Sequence, residues 1–111
     1  MKVLMTVDPI GGVWSYALDL CAQLREREVE VALAVLGRRP SPRQRAAAGG
    51  IQLYESEFRL EWMPEPWRDL SRASEWLLEL ERDYQPDVVQ LNHLVHADLP
   101  WQSPVLAVGH S

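Results

Sequence analysis

The chain has 111 residues, 47% of them apolar and 24% charged, with a formal net charge of −5. That size suits one small domain burying roughly two thirds of its unfolded surface, and no apolar run approaches the roughly 20 residues needed to cross a bilayer. The basic residues are scattered apart from Arg38, Arg39, Arg43 and Arg45, so the chain lacks the basic face that nucleic acid requires, and no nucleic-acid partner is expected.

Residues 2–7 (KVLMTV) read as a short buried strand that runs into Asp8 and a glycine turn without the cleavage site of a signal peptide. Residues 13–27 read as a helix, because Val13, Tyr16, Ala17, Leu20, Cys21 and Leu24 recur at helical spacing while Ser15, Asp19, Gln23 and Glu26 fall on the wetted side. A lone Cys21 on that apolar stripe excludes a disulfide framework and fits a reducing cytoplasm. Residues 29–36 (VEVALAVL) form a second strand ended by Gly37. The arginine cluster, broken by Pro40 and Pro42, reads as a solvated loop entering a short helix over 41–48, with Ser41 as its N-cap and Pro42 at its first position. Gly49 and Gly50 close that helix, and residues 51–54 form a brief third strand.

Residues 55–67 are irregular, since Pro64 and Pro66 forbid a regular helix. Leu70, Ala73, Leu77, Leu80 and Tyr84 then form a helical stripe that Pro86 stops. Residues 88–91 and 105–108 are nearly continuous apolar runs, the pattern of parallel strands covered on both faces. A short helix or structured loop over 93–101 joins them. This alternation predicts an α/β fold, a Rossmann-like doubly wound parallel sheet with strand order 3-2-1-4-5. The order then reverses between the first and fourth strands, so Gly11, Gly12 and Asn92 flank the crevice with His110 beside them. Because the sequence closes on His110 and Ser111 without a helix to cover the fifth strand, residues 1–111 are expected to be part of a larger domain.

Gly11 and Gly12 lie between strand and helix. There they either cradle an anion such as a diphosphate against unpaired N–H groups and the helix dipole, or simply make a tight turn. The G-x-G-x-x-G fingerprint and the P-loop lysine are both absent. Asp8 either touches a ligand hydroxyl or orients that turn. His110, Ser111 and Asn92 end strands at the ligand edge, where an imidazole can meet a reacting group. Trp14 begins a helix beside the glycines and is a candidate to face the cleft. His93, His96 and Asp98 form a string that tempts a metal reading, yet no further ligands stand at the usual spacing, so neither a metal nor a cofactor is expected. Trp62 and Trp67, in the long loop, cover the sheet or line a groove. Glu57 and Glu65 read as solvated. No G-x-S-x-G elbow marks a nucleophilic serine.

With these residues assembled, the chain resembles the N-terminal domain of family 4 retaining glycosyltransferases of the GT-B class. The resemblance rests on MKVLMTVDPIGGVWSYALDLCAQL, EVALAVLG, PDVVQLN and SPVLAVGHS, with LEWM at residues 60–63 between them. It implies that Gly11 and Gly12 approach the diphosphate of a nucleotide-sugar donor and that His110 lies beside the transferring sugar and the hydroxyl-bearing acceptor. It also implies a second, donor-binding C-terminal domain that is missing from residues 1–111, so that this chain alone is inactive. The Glu57 and Glu65 spacing mimics that domain's Glu-x7-Glu motif in the wrong place. One departure is local: Arg27 and Glu28 occupy a turn where such sequences place glycine, so a left-handed helix cap must be managed without it. Two other readings are a receiver-like regulatory or interaction module, for which the acidic residues are poorly placed, and a nucleotide-binding dehydrogenase domain, which lacks its glycine fingerprint.

Overall fold

Side-chain alternation along the first strand, β1 (Lys2–Val7), sends Val3, Met5 and Val7 to one face of the sheet and Leu4 and Thr6 to the other. Both faces are covered, so the strand is apolar almost throughout. The structure, a computed structural model, describes residues 1–110. After β1 follow helix α1 (Val13–Glu26), β2 (Glu30–Val35), α2 (Pro42–Ala48), β3 (Gln52–Glu55), α3 (Trp67–Tyr84), β4 (Val88–Leu91), a 3-10 turn (Leu94–His96) and β5 (Val105–Ala107). The strands form one all-parallel sheet in the order β3-β2-β1-β4-β5. The Rossmann-like α/β architecture and strand order expected from the sequence are therefore observed.

One layer of core lies between α1 and Val3, Met5, Val7, Val31, Leu33 and Val35. The other lies between α3, through Leu77, Leu80 and Tyr84, and Leu4, Ala32, Ala34, Val89 and Leu91. On α1 the buried line runs through Trp14, Ala17 and Cys21. Tyr16, placed on the apolar stripe by spacing, is instead 38% exposed, because the bulkier Trp14 takes the centre of the packed face. The α2 start is a capping box: the Ser41 hydroxyl accepts from the Gln44 N–H at 3.1 Å while Gln44 Oε1 accepts from the Ser41 N–H at 2.9 Å. Helix α1 ends in a Schellman motif, with the Val29 N–H donating to Leu24 O and the Glu28 N–H to Arg25 O. Its left-handed residue is Glu28, at φ +60°, so the turn is indeed made without glycine.

The fifth strand is as open as the sequence implied: its apolar run suits a strand covered on both faces, but no helix follows it within the described residues, and at the sheet edge, with only β4 beside it, Val105 and Leu106 are 40% and 54% exposed. Its entry is fixed by Glu81 of α3, a buried carboxylate that accepts the N–H groups of Gln102 at 3.0 Å and Ser103 at 2.8 Å. That anchor aligns β5 along β4 and so sets where His110 emerges.

Candidate functional site

In a parallel sheet the carboxyl ends of all strands share one edge. Adjacency of β1 and β4 brings Thr6, Asp8, Asn92 and His93 together there, although more than eighty residues separate the two pairs in sequence. All four are buried. The hub is Thr6: its hydroxyl oxygen accepts the Asn92 N–H at 3.0 Å, and its carbonyl accepts the Asn92 side-chain amide at 2.8 Å. His93 Nδ1 lies 3.3 Å from the same hydroxyl and His93 Nε2 lies 3.0 Å from Asp8 Oδ2. With Nε2–H donating to Asp8 and the Thr6 O–H donating to Nδ1, every polar atom of the cluster has a partner, which is what burial demands.

Asp8 is thus engaged through both oxygens. Oδ2 meets His93, and Oδ1 accepts the Ile10 N–H at 2.9 Å. The second contact is an Asx turn that shapes the chain immediately before Gly11. Of the two roles read from the sequence, orienting the turn is the one whose hydrogen bonds are in place. The role of His93 is not visible in its local sequence. Spacing groups it with His96 and Asp98, but the fold splits that string: His93 is spent on Asp8 and Thr6, His96 is buried and Asp98 is exposed.

The loop reaching α1 has a different character. Gly11 sits at φ +82°, a left-handed conformation that a side chain resists. Gly12 does not: it is the N-cap of α1 at φ −78°, and a Cβ built on it meets nothing within 4 Å. Neither backbone geometry nor crowding requires glycine at that position. No side chain caps α1 and no acidic residue lies in its first turn, so the opening N–H groups and the positive end of the helix dipole face an approachable surface.

His110 emerges beyond β5, exposed, on this same side of the molecule. Its Nε2 is 2.9 Å from Asn92 Oδ1. Because the Asn92 amide nitrogen donates to Thr6, its oxygen must face the imidazole, and Nε2 must carry the proton. In the neutral ring Nδ1 is then the free acceptor. The ring edge packs against Tyr16, with centroids 4.9 Å apart. Tyr16 lies one turn beyond Gly12, to whose carbonyl its N–H donates at 3.1 Å. Gly12, Tyr16, His110 and Asn92 are therefore contiguous. Trp14 departs from expectation: it is 5% exposed, packed in the α1 core layer, and its indole N–H finds no partner among the described residues. Ser111 lies outside the described residues. Elsewhere, burial pushes the Cys21 thiol up to about 11, which leaves it protonated and inert.

The chain is thus of the doubly wound, Rossmann-like α/β class, with an uncapped, glycine-led helix at the switch between β1 and β4 and a histidine beyond β5 sharing the carboxyl edge, where such folds hold their ligands. Within that class, the chain belongs to the glycosyl transferase 4-like domain family, which it matches over residues 11–108. No curated protein matches it at a significant level. Among the described residues no helix is long and apolar enough to cross a membrane.

Proposed function

We propose that this chain is the acceptor-side domain of a GT-B glycosyltransferase that moves a sugar from a nucleotide-sugar donor to an acceptor hydroxyl with retained configuration. In that reaction the bond between the anomeric carbon and the diphosphate oxygen breaks while a bond to the acceptor oxygen forms. The acceptor's proton leaves with the departing diphosphate. The N–H groups opening α1 behind Gly11 and Gly12 stabilise charge developing on the leaving group, and His110 stands at the sugar and acceptor. A second domain, by this reading, supplies the cations and most nucleotide contacts, and residues 1–111 alone are catalytically silent in a cytoplasmic setting.

The observation carrying this reading is the contact between Tyr16 and His110, 4.9 Å between ring centroids, which joins the helix start to the strand-end imidazole. The test is an NMR titration of the 15N-labelled chain with a nucleoside diphosphate such as UDP or GDP. The expected result is saturable shifts centred on the amides of residues 11–15 and the ring of His110. Shifts centred on any other edge of the sheet, or none with either diphosphate, would overturn it. Turnover of a nucleotide sugar by the 111-residue chain alone would overturn the claim of silence.

A further inference from the structure

At the amino edge of the sheet, opposite Gly11 and His110, the end of α1 and the starts of β2 and β3 frame a pocket of about 410 Å³, a size that suits a small ligand. Cys21 and Val31, both buried, line its floor, with Val29 and Ile51 half-buried beside them. Since the Cys21 thiol stays protonated, that floor is apolar. Arg25 and Glu28 line the mouth and are exposed. Gly50 leaves room for the first of them: a Cβ built there would stand 3.7 Å from Arg25 Nη2. Glu30 also borders the pocket, but its carboxylate accepts the hydroxyl of Tyr84 in α3 at 2.8 Å.

Residue 28 breaks two local rules at once. It is the left-handed residue of the Schellman turn, at φ +60°, a conformation that a side chain resists. It also sets a carboxylate at the negative end of the α1 dipole, where a cation is favoured. Glycine would meet neither objection. Local costs of this kind gather where a ligand needs the side chain. Nothing within the chain accounts for the carboxylate, because neither Glu28 nor Arg25 makes an ion pair among the described residues.

These two charges decide what the pocket can hold. They stand one against one, opposite in sign and not spent on each other. A lone anion would face Glu28, and a lone cation would face Arg25. A neutral polyol would set hydroxyls on a floor of thiol and aliphatic groups that offers them no good partner. A dipolar ion with an apolar side chain suits all three features. Its carboxylate faces Arg25, its ammonium faces Glu28 and the last carbonyls of α1, and its side chain covers the floor.

We propose that this pocket binds a free α-amino acid with an apolar side chain, held by Arg25 and Glu28 over Cys21, Val31 and Ile51. The 14 residues of α1 put about 20 Å between the pocket and the glycine turn, so one amino acid does not span both edges of the sheet. The site stands whether or not the carboxyl edge transfers a sugar.

The experiment is a titration of the 15N-labelled chain with L-leucine, L-methionine and L-phenylalanine at millimolar concentration. Isocaproate, which is leucine without its ammonium group, and isoamylamine, which is leucine without its carboxylate, serve as comparators. At least one amino acid is expected to give saturable shifts at the amides of Glu28, Val29, Gly50 and Ile51, and both comparators are expected to bind more weakly than leucine. Glu28→Gln and Arg25→Gln, at exposed side chains without ion-pair partners, are each expected to weaken binding about fivefold with the fold intact. Glu28→Gly is expected to lose binding while gaining stability, a combination that a purely structural glutamate would not give. No shift at these amides with any of the three amino acids, equal binding of isocaproate or isoamylamine, or unchanged affinity in Glu28→Gln would each overturn the proposal.

Discussion

His96 makes the stability of the domain depend on pH, and the dependence can be worked from its surroundings. The side chain is 2% exposed in the turn after β4. Burial, reinforced by the neighbouring His93, lowers its pKa from 6.5 to about 4. In the unfolded chain the ring regains its ordinary value, so between these limits the unfolded state binds more protons and acidification favours unfolding. The contribution is complete above the unfolded value and is lost as pH falls toward the folded one, amounting to about 2 kcal/mol near pH 5 and about 3 kcal/mol near pH 4. His96→Leu removes the titrating ring at similar volume. Urea denaturation followed by tryptophan fluorescence, at neutral and acid pH, compares the two proteins. The wild type should lose about 2 kcal/mol more than the variant between about pH 8 and pH 5, equivalent to a melting temperature about 8–16 °C lower. Parallel losses in the two proteins would refute the assignment of the acid sensitivity to His96.

Thr6→Val keeps the shape of the hub but leaves the buried Asn92 N–H and His93 Nδ1 without their shared partner; a loss of about 2–4 kcal/mol in the unfolding free energy, read as a lower urea midpoint, is expected. Gly12→Ala should change stability by less than about 0.5 kcal/mol while weakening the diphosphate titration, whereas Gly11→Ala, at φ +82°, should cost about 1–2 kcal/mol. Glu28→Gly relieves a left-handed glutamate in the Schellman turn and should raise the melting temperature by several degrees, an effect of about 1 kcal/mol offset in part by unfolded-chain entropy. Glu81→Ala strands the Gln102 and Ser103 N–H groups, and hydrogen exchange should show the β5 amides losing protection while β1 and β2 retain theirs.

What the sequence made legible was whatever repeats locally. The apolar runs of β1, β2 and β4, the Leu77–Leu80–Tyr84 stripe and the Ser41–Pro42 start each carry their signal within a few residues, and strand order followed from right-handed crossovers. What the sequence hides are contacts that no local window contains. Spacing pairs His93 with His96, three positions on, but its partners Asp8 and Thr6 lie 85 and 87 residues away. The usable signal was the predicted adjacency of β1 and β4, which makes the residues just past both strands candidate partners. Proximity to the glycines points Trp14 at the cleft, yet its spacing to Ala17 and Cys21 is that of a packed helix face.

Division of labour at the edge follows from which polar groups are already spent. Asp8 and His93 have partners inside the protein, and Asn92 gives its N–H and its amide nitrogen to Thr6 and its oxygen to His110. The imidazole Nδ1 of His110 and the N–H groups opening α1 are the polar groups of this edge left unpartnered, and the proposed function assigns the ligand to them. These two features are tied to the same hub from opposite sides. Thr6 fixes Asn92, which fixes the His110 proton on Nε2, while His93 fixes Asp8, which fixes the turn before Gly11. A perturbation at Thr6 therefore displaces both halves of the site together, although Thr6 is 1% exposed and has no surface to offer a ligand. The polar geometry of the edge is thus set by a residue one layer beneath it, in the strand that the sheet places at its centre.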